Sequence, residues 1–93
     1  MKKHLELNFH GNLKGLGVMQ FAQDNARRLN ISGYVKRLPT GTIHIEAEGE
    51  ERDLEEFIGL CRERNDWREE NNRDVNISDR LIGYPKFYIR KQG

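Results

Sequence analysis

The sequence predicts an α+β sandwich, with an antiparallel sheet covered on one face by two helices. Three observations predict it. Apolar residues alternate with polar ones in short runs, as on half-buried strands. Two other stretches carry apolar stripes at helical spacing. The order of these segments is β-α-β-β-α-β, followed by one more strand.

Each element has its own signature. Leu5, Leu7 and Phe9 alternate with His4, Glu6, Asn8 and His10, which predicts a first strand with one apolar face. Gly11, Gly15 and Gly17 then predict a tight loop. Val18, Phe21, Ala22, Ala26 and Leu29 form one helical stripe. Arg27 and Arg28 suit its C-terminal dipole, and Asn30 is a plausible stop. Residues 31 to 38 predict a second strand, and Pro39-Thr40-Gly41 a turn. Ile43, Ile45 and Ala47 make the third strand, ended by Gly49. Glu50, Glu51 and Asp53 open a second helix, whose buried stripe is Leu54, Phe57, Ile58 and Cys61. Residues 65 to 73 are polar and read as a loop. Val75 and Ile77 begin a short fourth strand; Phe87 and Ile89 mark the last, after the turn-prone Gly83-Tyr84-Pro85. Two helices on one face of an antiparallel sheet is the ferredoxin-like solution for this order. That topology serves many functions and fixes none.

Composition narrows the class. The 93 residues, 35% hydrophobic and 33% charged, predict one domain over residues 1–93. The net charge of +1 selects no partner. Its distribution is uneven: +5 over residues 1–45, −6 over 46–66 and +2 over 67–93. The lone Cys61 cannot form an internal disulfide, and no apolar run is long enough to span a membrane. A cytoplasmic, soluble monomer is the expectation.

A candidate site lies where the first strand meets the first helix. Amides at a helix N-terminus point outward, and a glycine loop there can wrap them around an oxyanion. Lys14 adds a charge. The glycine spacing matches neither the dinucleotide fingerprint nor the Walker pattern.

Residues 9–21, Phe-His-Gly-Asn-Leu-Lys-Gly-Leu-Gly-Val-Met-Gln-Phe, resemble the phosphate-binding signature of acylphosphatases. Residues 33–43, Gly-Tyr-Val-Lys-Arg-Leu-Pro-Thr-Gly-Thr-Ile, followed by Gly49, resemble their second signature. Asn25-Ala26-Arg27-Arg28-Leu29, Ala47-Glu48-Gly49 and Phe87-Tyr88-Ile89-Arg90 extend the similarity over nearly the whole chain. The resemblance implies the ferredoxin-like sandwich. It also implies hydrolysis of acyl phosphates to a carboxylate and inorganic phosphate, with neither metal nor cofactor. Loop amides and one arginine would hold the phosphate, and one asparagine would orient the attacking water.

Carried over residue by residue, the phosphate-binding set is Lys14, Gly15, Leu16, Gly17, Val18, Met19 and Arg37. The family's arginine would follow Val18, where this chain has Met19. The family's asparagine would follow Lys36, where this chain has Arg37. Methionine has no guanidinium fork for two phosphate oxygens. Losing such a preorganised group costs about 10²–10³ in rate. Arginine donates hydrogen bonds but accepts none, so it cannot align water as an amide does. Lys14 stands where the family usually has glutamine. Three readings follow: an anion-binding domain of weak or lost turnover, an active hydrolase in which Arg37 or other groups supply the phosphate charge, or a protein-interaction module without a ligand. A small anion or acyl phosphate is the expected partner.

Other candidates have blander readings. His4 and His10 are six residues apart on one strand, roughly 20 Å, and cannot share an ion. With His44 they read as surface histidines on the sheet. Cys61 reads as a buried hydrophobe, and the acidic run 46–56 as a solvated strand edge and helix start. Asp66, Glu69, Glu70 and Asp74 lack the spacing of a Ca²⁺ loop. The outward positions His4, Glu6, Asn8, Thr42, His44, Glu46 and Glu48 show no aromatic platform, and their carboxylates argue against nucleic acid.

Overall fold

The computed structural model describes residues 1–9, 16–63 and 75–90. Its elements are β1 (Lys2–Phe9), α1 (Leu16–Arg28), β2 (Ser32–Arg37), β3 (Ile43–Glu50), α2 (Glu51–Arg62), β4 (Val75–Ser78) and β5 (Phe87–Ile89). The five strands form one sheet in the order β4-β1-β3-β2-β5. This is the ferredoxin-like α+β sandwich that the element order predicts.

The expected periodicities hold. Leu5, Leu7 and Phe9 are fully buried, as are Ile43, Ile45 and Ala47. They meet Val18, Ala22 and Ala26 of α1 and Leu54, Phe57, Ile58 and Cys61 of α2 in one core. Both helices therefore cover the same face. Asn30 ends the α1 turn with a left-handed φ of 57°, which asparagine tolerates better than most residues. The predicted loop at residues 65 to 73 lies outside the described residues.

The sheet is mixed and not, as expected, wholly antiparallel. β1, β2, β3 and β4 pair antiparallel, but β5 runs parallel to β2, with Tyr34 opposite Tyr88. The strand order explains this. β4 and β5 occupy opposite edges, so the chain must cross the sheet between them. It does so through residues 79–86, passing over the face that the helices leave open.

Two expected boundaries shift slightly. β3 runs past Gly49 to Glu50, and Gly17 lies within α1 instead of in the preceding loop.

Candidate functional site

The strand register locates the residues read as a phosphate site. Phe9, Ile43 and Arg37 share one row across β1, β3 and β2. The loop that leaves Phe9 therefore starts at the same end of the sheet as Arg37, two strand spacings away, or roughly 10 Å. Arg37 is half-buried and lies on the helix-covered face, in alternation with core residue Val35. Lys36 points the other way, with its Nζ 5.9 Å from the centre of the Tyr34 ring.

Leu16, Gly17, Val18 and Met19 form the first turn of α1. Val18 and Met19 belong to the apolar core, with Met19 only 8% exposed. Position 19 thus presents a thioether packed among hydrocarbon. Lys14 and Gly15 lie outside the described residues. Of the residues read as the phosphate site, the strand register places Arg37 in the row through Phe9.

A second polar centre occupies the open face. Glu46 lies at its middle, directly between Glu6 of β1 and Tyr34 of β2. One of its oxygens, Oε2, accepts from the Tyr34 hydroxyl and lies 3.2 Å from His44 Nε2. The other, Oε1, lies 3.0 Å from His4 Nε2 and 3.4 Å from the Tyr84 hydroxyl. Glu48 lies 2.7 Å from His4 Nδ1 and accepts from the amides of Ile82 and Gly83 at 2.6 and 2.9 Å.

Burial raises the Glu46 carboxyl, but hydrogen bonds from Tyr34 and His44 outweigh it and leave it below the usual carboxylate range. Glu48 shows the same balance: burial raises it, while the two amides and His4 bring it below the usual range. Burial also pushes Tyr34 upward, reinforced by its bond to Glu46. Burial and the charges of Glu46 and Glu48 push Tyr84 up to about 12. Both glutamates are therefore carboxylates and both tyrosines are neutral donors at neutral pH.

This centre corrects three expectations. His4 is buried, not a surface histidine, and His44 is largely covered. Glu48 is buried and Glu46 half-buried, so the start of the acidic run is not solvated. Aromatic rings are present on this face: Tyr34 packs against Tyr84 and Tyr88, with centroids 5.9 and 6.1 Å away. Arg90 stacks on Tyr34 at 3.8 Å. Tyr34 itself is buried, Tyr84 and Tyr88 are half-buried, and carboxylates sit among the rings.

A family model for acylphosphatase matches residues 5–89. The chain belongs to the acylphosphatase family. It is 34% identical to an acylphosphatase of Methanospirillum hungatei over 90 residues, covering 96% of this chain and 98% of that one. It is 46% identical to an acylphosphatase of Archaeoglobus fulgidus over 58 residues, or 62% of this chain and 65% of that one. The crystal structure of acylphosphatase from Bacillus subtilis superposes with a TM-score of 0.79 at 26% identity, covering 97% of this chain and 99% of that one. The open-face centre was missed in the sequence. Alternation placed His4, Glu6, Glu46 and Glu48 on one face, but no periodicity shows that residues 79–86 fold over it.

Among the described residues no helix is long and apolar enough to cross a membrane.

Proposed function

We propose that residues 1–93 form one acylphosphatase-family domain that binds a phosphate-like oxyanion and turns acyl phosphates over weakly or not at all. The observation that carries this reading is Met19. It occupies the position that the family resemblance gives to the phosphate-holding arginine, and it is packed in the core. A buried thioether has no charge or N–H to stabilise a phosphoryl group in the transition state. Arg37, at the position given to the water-orienting asparagine, brings a cation to the same end of the sheet. It strengthens the attraction for an anion but cannot accept a hydrogen bond from water. The glycine loop and the α1 N-terminus supply the remaining donors in this reading.

A second reading assigns the missing phosphate charge to Arg37 and keeps the enzyme active. Its support is the position of Arg37 on the helix-covered face, level with Phe9. Hydrolysis of a chromogenic acyl phosphate separates the two. The Met19→Arg, Arg37→Asn double variant should exceed the natural chain by about 10²-fold, the factor associated with one preorganised donor. Rapid turnover by the natural chain, abolished by Arg37→Ala, would establish the second reading instead. No turnover by either protein, together with no phosphate binding, would remove the anion cradle.

A further inference from the structure

The open-face centre lies far from the proposed cradle. His4 is five residues from Phe9 along β1, roughly 17 Å at strand rise, and projects from the opposite face. Three potential ligand atoms meet there. One nitrogen of His4, one oxygen of Glu6 and one of Glu46 all lie within 4.8 Å of one another.

The surroundings of His4 fix how its ring is used. Glu48 is held by two backbone amides, one on each carboxyl oxygen, and amides can only donate. As an acceptor it requires the hydrogen on His4 Nδ1, 2.7 Å away. In the neutral ring, Nε2 then carries a lone pair. That lone pair faces the carboxylate of Glu46 at 3.0 Å. Two acceptors at this distance require a cation between or beside them.

A proton on Nε2 would answer that contact alone. It would leave Glu6 directly opposite Glu46 across β1 and β3, a like-charge pair that destabilises a sheet. A divalent metal answers both. Two adjacent ligands about 2.1 Å from a six-coordinate ion lie roughly 3.0 Å apart, the spacing found between His4 and Glu46. One neutral imidazole and two carboxylates balance its charge. The site opens into a cavity of about 430 Å³ with room for water ligands, bounded also by Ser78, Leu81, Ile82 and the exposed Arg80.

We propose that His4, Glu6 and Glu46 bind a divalent first-row transition-metal ion. The mixed imidazole and carboxylate set suits Zn²⁺, Fe²⁺ or Mn²⁺. Glu48 is a positioning residue: it orients the His4 ring and raises its basicity, as carboxylates behind ligating histidines do. The ion joins β1 to β3 and takes no part in the anion cradle.

The experiment titrates Zn²⁺ into the chelator-treated full chain by calorimetry, with ¹⁵N NMR of the imidazoles. One ion per chain should bind, and the His4 Nε2 resonance should move to a metal-bound position. Glu6→Gln should weaken binding at least tenfold, and its half-exposed side chain makes this the variant least demanding of the fold. Glu48→Gln should weaken binding by about 10–100-fold. Absence of binding at millimolar Zn²⁺, with His4 doubly protonated, would assign the cation to a proton and overturn the proposal. Unchanged affinity in Glu6→Gln would place the ion elsewhere and overturn it equally.

Discussion

Gly33 holds φ at 135° on β2, and a Cβ there would lie 1.9 Å from the carbonyl oxygen of Glu46 and 2.9 Å from the Cα of Ala47. Both atoms belong to the backbone of the central strand, so neither can step aside. Gly33→Ala combines a disfavoured dihedral with a clash against backbone. It should cost about 3 kcal/mol or more, measured by urea unfolding. Equal stability would mean that β2 and β3 can separate without loss. The family resemblance marked Gly33, but only the register with Ala47 supplies the reason. Met19 shows a similar limit. Its spacing to Ala22 and Ala26 fits the α1 stripe, so its burial was legible, yet it was read only as a departure from the family pattern. The burial of His4 and Glu48 was not legible at all, because the amides on Glu48 come from residues 82 and 83 and the ring beside His4 from Tyr84.

α2 docks on the sheet through Leu54, Phe57, Ile58 and Cys61, one residue set per turn. Leu54 is fully buried, whereas Glu55, one residue on, is exposed. Leu54→Ala should therefore cost about 2–5 kcal/mol through lost burial and an unfilled cavity. Glu55→Ala should leave the urea midpoint nearly unchanged. Similar losses in both would show that helix propensity, not docking, governs the element. The helices and the three central strands were legible because each carries a repeating apolar period along its own length. The direction of β5 was not. Three residues hold too little pattern to report orientation, which follows from the crossing between the two sheet edges.

At the scale of the molecule, the helix-covered and open faces of the sheet separate two kinds of chemistry. The covered face ends in the row through Phe9, Ile43 and Arg37, where a cation stands two strands from the residue that opens the glycine loop. The open face gathers His4, Glu46 and Glu48 under the crossing segment. Two-layer architecture was readable from element order, since two helical stripes and a set of half-buried strands have few ways to cover one another. The network on the open face was not readable, since it depends on contacts between residues more than 30 positions apart. The central claim concerns the first face: an oxyanion is held there with little transfer of its phosphoryl group to water. The most direct measurement is ³¹P NMR of an acyl phosphate mixed with the natural chain. The account predicts that the acyl phosphate resonance shifts or broadens as protein is added, while orthophosphate accumulates no faster than in buffer. Orthophosphate appearing at a catalytic rate would contradict it.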